Sequence, residues 1–509
     1  MQLQELFQNI AVSCTKTSQA LWDQNPSMKN LCYDSRKAKE GVIFFAIPGF
    51  SVDGTKFIPA VLDQGALAVV AQSLNSIPAQ YHDRCFLAAN VREALAVASA
   101  NYFRHPTKEM MVVGVTGTKG KTSSTFLLES IFAAAGKKTA LLGTVECRHP
   151  GKRVESKRTT MESYDLQSFL REARDHGAEV ALLEISSHAL SLERCQACEF
   201  DGVLFTNLSE DHLDFYGGME KYFQAKLLLF TEYATVKNGR KTVGVTNVDD
   251  SYGAKIMKLA KMPIKSFGLE MGDYQGQQLK ADAQGIHGYV KLPASGAVQV
   301  QSTLTGQFNI YNILGALALA DQLQVPAEAI ERGLRNLPVV SGRLERVPSK
   351  LDFQVFVDFA HMGTALENVL QSLRPICKGK LIVVFGAGGD RDPARRTQLG
   401  MVAARLGDYS VITSDNPRTE DPMKIIAAVE AAYTAELAKT NTAKNFSVEV
   451  DRKKAITMAL RMARSGDVIC LAGKGHESGQ IIGTQTFPFD DREEARKVLE
   501  VLELEATKN

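Results

Sequence analysis

Short runs of Val, Ile and Leu recur along this chain, and each stops abruptly at a cluster of small or polar residues. The first series is "MMVVGVTGTKGKTS" (110–123), "AEVALLEISSHAL" (178–190), "DGVLFTNLSEDHLD" (201–214) and "KTVGVTNVDD" (241–250). Runs that are apolar without alternation fit strands buried on both faces, and helical segments separate them. That combination predicts a largely parallel sheet covered by helices on both sides. A second series follows residue 340: "FQVFVDFAH" (353–361), "GKLIVVFGAGGDRD" (379–392), "GDYSVITSDNPR" (407–418) and "GDVICLAGKGHE" (466–477). In open α/β sheets ligands bind beyond the carboxyl ends of the strands. Nearly every polar cluster here sits at such an end, so the chemistry is expected along those edges.

A length of 509 residues implies about three domains. The expected fold class is α/β, with a small N-terminal α/β domain (1–107), a central phosphate-loop domain with a doubly wound, mostly parallel sheet (108–338) and a C-terminal Rossmann-like α/β domain (339–509). "NVREALAVASANYFRHP" reads as an amphipathic helix closed by Pro106, and residues 270–304 read as an antiparallel appendage. The net charge of +2 provides no global field for nucleic acid. No run approaches the ~20 apolar residues of a membrane helix, and the N-terminus lacks a basic leader. A cytosolic monomer without nucleic-acid or membrane partners is the expectation. Cys195 and Cys198 form a CxxC, but no second pair lies nearby to complete a zinc site, so reduced thiols are expected.

The most specific local motif is "VVGVTGTKGKTSS". Gly117 and Gly120 let backbone N–H groups close on phosphate oxygens at a helix N-terminus. Lys121 would reach the terminal phosphates, and the Thr122 hydroxyl would ligate Mg²⁺. Val115 stands where the strict pattern has Gly, so the loop is a variant. Glu184, Asp211, His212 and Asp214 end neighbouring strands and supply oxygen and nitrogen donors of the kind a divalent cation uses. His212 reads as functional because of that placement. Lys226, on a helix, reads from the sequence alone as a snorkelling surface lysine.

Taken in order, "YDSR" (33–36), "GTKGKTS" (117–123), "TTMES" (159–163), "EISSHAL" (184–190), "TNLSEDHLDFYG" (206–217), "SGRLERV" (341–347), "DFAH" (358–361), "DNPR" (415–418) and "GKGHE" (473–477) resemble the Mur ligases of peptidoglycan synthesis over essentially the whole chain. They look most like the branch that adds the third amino acid. The resemblance implies ATP and Mg²⁺ as cofactors. Gly117, Thr118, Lys119, Gly120, Lys121, Thr122, Ser123, Asn247, Asn309, Arg343 and Asp358 would hold ATP, with His361 nearby. It implies a UDP-muramoyl-dipeptide held by Tyr33, Ser35, Phe50, Ser51, Val52, Thr159, Thr160, Ser186 and Arg194. It implies catalysis by Lys121, Glu184, His212 and Lys226, with Lys226 carbamylated and serving the metal beside Thr122, Glu184 and His212. The incoming amino acid, meso-diaminopimelate, would meet Arg391, Asp415, Asn416, Pro417, Arg418, Gly473 and Glu477. L-lysine addition and a folylpolyglutamate synthase-like ligase are the alternatives; "YDSR" argues against the latter.

The implied chemistry explains why such groups are needed. A carboxylate is a poor electrophile until ATP converts it to an acyl phosphate. Bringing it to the γ-phosphate pushes anion onto anion, which costs about 4 kcal/mol for two unit charges ~4 Å apart at an effective dielectric of 20. A lysine and a cation offset that term. At the other site a guanidinium can read a carboxylate bidentately. Diaminopimelate carries a second carboxylate that lysine lacks.

Overall fold

The structure is a computed structural model and describes residues 1–49, 52–156, 158–234, 241–282, 284–293, 296–337, 339–440 and 445–507. The chain forms two compact units. One comprises Met1–Gln275, Lys291–Ala297 and Leu314–Gly333; the other comprises Gly276–Val290, Val298–Ile313 and Leu334–Asn509.

The first unit holds two sheets. Strands β1 (Val12–Cys14), β2 (Asn30–Cys32), β3 (Val42–Phe45), β4 (Ala68–Ala71) and β5 (Cys85–Ala88) form a five-stranded sheet in the order β1-β5-β4-β3-β2. Only β1 runs antiparallel to its neighbour. The helix expected before Pro106 spans Val91–Tyr102, and its start is fixed by Asn90, whose side chain accepts from the N–H groups of Arg92 and Glu93.

The second sheet is built from β6 (Met111–Thr116), β7 (Thr139–Leu142), β8 (Glu146–His149), β9 (Lys152–Glu155), β10 (Val180–Glu184), β11 (Gly202–Phe205), β12 (Val243–Asn247), β13 (Ile264–Gly268) and β14 (Tyr274–Gln275). Its order is β14-β13-β12-β11-β6-β10-β7-β8-β9. From β14 to β7 the pairing is parallel; β8 and β9 append an antiparallel hairpin to one edge. The middle strands β10 and β11 are buried at every residue, as their non-alternating apolar runs require. The two sheets are joined through side chains. The Tyr33 hydroxyl donates to Asp165, Tyr164 donates to Asn30 at 2.9 Å, and Asn90 donates to Glu193 at 2.6 and 2.7 Å.

Residues 280–302 contribute strands β15 (Lys280–Asp282), β16 (Gly285–Leu292) and β17 (Gly296–Ser302), the antiparallel element that the alternating pattern predicts. In the second unit β18 (Glu345–Val347), β19 (Gln354–Asp358), β20 (Leu381–Phe385), β21 (Tyr409–Ile412), β22 (Asn445–Val448) and β23 (Val468–Ala472) make a six-stranded sheet ordered β18-β19-β23-β20-β21-β22. All but β18 are parallel. Beside it lies a hairpin of β24 (Gly479–Ile482) and β25 (Gln485–Pro488).

One ion pair is embedded in this second unit. The Arg452 guanidinium donates to both oxygens of Asp491, at 2.7 and 2.6 Å, and to the Ala472 carbonyl at 2.9 Å; neither side chain is exposed. It ties the helix Arg452–Met462 to the helix Asp491–Ala506 at the end of β23. Removing one partner strands a buried charge. Asp491→Ala is therefore expected to cost about 3–5 kcal/mol, read as a lowered urea midpoint, whereas a double replacement by apolar residues of similar volume costs far less.

Candidate active site

The phosphate loop leaves β6 at Gly117 and enters the helix Lys121–Ala134. Gly117 takes φ 147°, and a Cβ there would stand 1.9 Å from Thr206 Oγ1, so no larger residue fits. The loop is held from the next strand end: Asn207 Oδ1 accepts from Lys119 N at 3.1 Å, and Thr206 Oγ1 donates to the Lys119 carbonyl at 2.6 Å. Thr118 Oγ1 lies 3.1 Å from the Tyr222 hydroxyl. Ser123 is buried in the first turn of the helix. Asn247, at the end of β12, donates to the Thr206 carbonyl at 3.0 Å.

Lys121 Nζ donates to the carbonyls of Gly117 and Thr118 at 2.8 and 3.0 Å. Lys226 Nζ donates to the same Gly117 carbonyl at 2.8 Å and lies 4.7 Å from the centre of the Tyr222 ring. Its residue is only 1% exposed, which corrects the expectation of a surface lysine. Helical spacing placed it on an apolar face, and that face is the one turned inward. Burial, and after it the charge of Lys121, drive the Lys226 amine well below the usual lysine range.

Glu184 ends β10 and is 1% exposed. One oxygen accepts from Thr122 Oγ1 at 3.1 Å and Thr144 Oγ1 at 2.9 Å; the other accepts from Thr144 N at 2.9 Å. Thr144 was not singled out from the sequence, although it too follows a strand end. His212 adopts a left-handed backbone (φ 53°) and lies 3.4 Å from Asp211 Oδ2. Its ring meets that of His188 edge-on, 4.7 Å between centres. Burial, reinforced by the positive charge of its neighbours, lowers His188 to about 4.

Thr160 donates to the Glu184 carbonyl at 2.8 Å and accepts from Ser186 N at 3.0 Å; Arg194 donates to the Thr160 carbonyl at 3.2 Å and pairs with Glu162 at 2.7 Å. Thr159 is joined to this cluster through Thr144 Oγ1 at 3.1 Å. Nearby, Tyr33, Ser35 and Val52 line a cavity of about 1040 Å³ whose wall also carries Arg36, Lys37, Lys152 and Arg158. Two of these four cations are brought by the β8–β9 hairpin and the segment after it, and three are paired with carboxylates of the same wall: Arg36 with Asp34, Lys152 with Glu172 and Arg158 with Glu162, each at 2.7 Å. Phe50 and Ser51 lie outside the described residues.

Asn309, Arg343 and Asp358 belong to the second unit. Asn309 is buried and donates to the Thr305 carbonyl at 2.7 Å; Asp358 Oδ2 accepts from Leu344 N at 2.7 Å; the Arg343 guanidinium lies 5.2 Å from the Phe359 ring centre. The same unit has a cavity of about 180 Å³ at the ends of β19, β20, β21 and β23. It is lined by His361, Arg391, Arg395, Asp415, Asn416, Arg418, Gly473 and Glu477, with Phe359 at its wall. Pro417 is buried in the turn behind it and is not part of the lining. Arg418 has φ 52° and donates from Nη1 to the Gly389 carbonyl at 2.8 Å. Asp415 Oδ2 is buried and has no hydrogen-bond partner among the described residues. His361 Nδ1 is 2.8 Å from the Phe359 carbonyl, and burial lowers its basicity. Arg395 was missed in the sequence, although it lies only four residues after Arg391, in the first turn of the helix Ala394–Leu406. Cys195 and Cys198 are buried among apolar neighbours of the first unit.

Family models match three consecutive stretches: "Mur ligase family, catalytic domain" over residues 27–128, "Mur ligase middle domain" over 115–320 and "Mur ligase, glutamate ligase domain" over 342–475. The chain belongs to the Mur ligase family and is a ligase. It is 41% identical over 506 residues to a UDP-N-acetylmuramoyl-L-alanyl-D-glutamate–2,6-diaminopimelate ligase of Geobacter metallireducens, covering 97% of each chain. A solved structure of a ligase of that name superimposes with a TM-score of 0.70 at 29% identity over 99% of both chains. A folylpolyglutamate synthase of Mycobacterium tuberculosis shares the fold (TM-score 0.59, 16% identity), covering 75% of this chain and 92% of its own.

The packing around Glu184 sets up a test. A Cβ on Gly143 would stand 2.3 Å from Glu184 Oε1, and that carboxylate has no solvent-side room to retreat into. Gly143→Ala is expected to break the Thr122 and Thr144 bonds and lower ATP-dependent turnover by about tenfold or more, about 1.4 kcal/mol, with little change in circular dichroism.

Proposed function

We propose that the chain joins meso-diaminopimelate to UDP-N-acetylmuramoyl-L-alanyl-D-glutamate, using ATP and Mg²⁺ through an acyl-phosphate intermediate. The observation that carries the reading is the C-terminal cavity. Arg391, Arg395 and Arg418 face the same small space as Asp415 and Glu477. That charge pattern matches an amino acid whose far end bears both a carboxylate and an ammonium. The two diaminopimelate ligases of the preceding section act, by name, on the same pair of substrates.

The dipeptide carboxylate attacks the γ-phosphorus of ATP and ADP leaves. The amine then attacks the acyl carbon, phosphate leaves and the nitrogen loses a proton. Lys121 would exchange its two backbone carbonyls for phosphate oxygens. The donor set at Thr122 and Glu184, a hydroxyl and a buried carboxylate 3.1 Å apart, fits a hard divalent cation. Mg²⁺, when bound, would screen the phosphates and polarise the transferring group. Thr160, Ser186 and Arg194 would position the dipeptide, and the cavity lined by Tyr33 and Ser35 would take the uridine diphosphate. Asp415, with its unpartnered oxygen, and the neutral His361 suit the incoming amine.

Lys226 fits carbamylation because burial and the charge of Lys121 favour its uncharged amine. A neutral nitrogen can attack CO₂ and shed a proton, which gives a carbamate anion beside the phosphate loop. Arginine cannot do this, since its guanidinium stays protonated. Lys226→Arg is expected to be inactive, while wild-type protein depleted of CO₂ regains activity on adding bicarbonate. Activity in Lys226→Arg close to wild type would exclude the carbamate.

Phosphate release in the presence of ATP, Mg²⁺ and UDP-muramoyl-dipeptide tests the whole reading. Release should require the dipeptide and meso-diaminopimelate, and L-lysine should replace the latter poorly. Arg418→Ala should lower kcat/KM for diaminopimelate by more than about tenfold; a smaller loss removes Arg418 from selection. Release without dipeptide would indicate a plain ATPase, and equal use of lysine would favour the lysine-adding alternative.

A further inference from the structure

The second unit contains a fully buried lysine that the reaction outlined above does not use. Lys474 follows β23 between two glycines with positive φ, Gly473 at 118° and Gly475 at 54°. Both glycines are forced by contact. A Cβ on Gly473 would stand 2.4 Å from Asp415 Oδ2, and one on Gly475 2.6 Å from Phe359 Cβ. The Gly-Lys-Gly turn directs the lysine inward, where its side chain has no exposure. Its ammonium donates to Asn416 Oδ1 at 3.0 Å and to Glu477 Oε2 at 3.1 Å. Asn416 Nδ2 also donates to Glu477 Oε2 at 2.9 Å, and Asn416 Oδ1 accepts from Ile481 N at 2.9 Å.

The consequence is a division of labour between the two oxygens of Glu477. Oε2 is held from behind by a buried cation and a buried amide. The Glu477 side chain is one-third exposed and lines the amino-acid cavity. A long side chain on a turn otherwise samples several rotamers, and fixing one before the ligand arrives lowers the entropy cost of binding.

We propose that Lys474 is a positioning residue for amino-acid selection. It locks Asn416 and Glu477 so that the other Glu477 oxygen, Oε1, receives the second ammonium of a diamino diacid. The proposal rests on the diaminopimelate reading above. It assigns to Lys474 no contact with ATP, with the muramoyl-dipeptide or with the reacting amine.

The experiment compares meso-diaminopimelate with 2-aminopimelate, the same diacid lacking the second amine, in the phosphate-release assay. Wild type should prefer diaminopimelate in kcat/KM by about ten- to hundredfold, the range of one charge-assisted hydrogen bond. Lys474→Met should reduce that preference to within about threefold, through KM for diaminopimelate, with KM for ATP and dipeptide unchanged. Added to Glu477→Gln, it should cause no further loss, because the two residues act as one unit. Lys474→Gln, which keeps a donor without the charge, carries the same comparison if the Met variant does not fold. The proposal is overturned if either variant keeps the wild-type preference, or if the losses of the two sites simply multiply. Failure of the underlying reading is distinct: wild type itself would then show no diaminopimelate-dependent release.

Discussion

Two lysine side chains converge on one carbonyl oxygen, that of Gly117, each at 2.8 Å. Burial first, and then the charge of Lys121, push the Lys226 amine well below the usual lysine range, which favours its uncharged form. The arrangement requires the turn at Gly117 to admit no side chain, and it requires Tyr222 and the helix that bears Lys226 to close the space. The rest of the first unit serves these conditions. The neighbouring strands β10 and β11 bring Glu184 and Thr206 to the loop from either side of β6. A buried amine is thereby placed against the turn at Gly117.

The carboxylate at Glu184 shows the same economy. Three donors from two separate segments hold it, so it is fixed before any ligand arrives. A preorganised anion costs nothing to orient when a cation or phosphate enters. In the second unit the same principle appears with opposite sign. Two of the guanidinium groups around the small cavity lean on backbone carbonyls, Arg418 on Gly389 and Arg391 on Asp390, and Asp415 and Glu477 line the same space with opposite charge.

Much of this was legible in the sequence because the fold is written in strand-sized apolar runs with abrupt ends. β6, β10, β11 and β12, and later β19, β20, β21 and β23, lie where those runs lie, and the named polar residues follow them. The resemblance of the motifs to a known family added roles that spacing alone does not carry. What the sequence hid were inward-facing partners with no motif of their own. Lys226 reads as a surface residue because a lysine on an amphipathic helix ordinarily is one; only the packed structure reveals that its face is enclosed. Thr144 and Arg395 hide because a threonine or arginine just after an element is common everywhere. The pairing of Tyr33 with Asp165, and of Arg452 with Asp491, spans sequence separations that no local pattern encodes.

The β8–β9 hairpin is the one antiparallel extension on an otherwise parallel run of strands, and it sits at the sheet margin farthest from β14. It and the segment after it lend Lys152 and Arg158 to the large cavity. A marginal hairpin can change length or charge without disturbing the register of any strand that bears the phosphate loop. The turn that enters the hairpin carries Thr144, which bonds Glu184 through N and Oγ1 at 2.9 Å each, so the outer strand β9 is the part that can vary without touching that carboxylate.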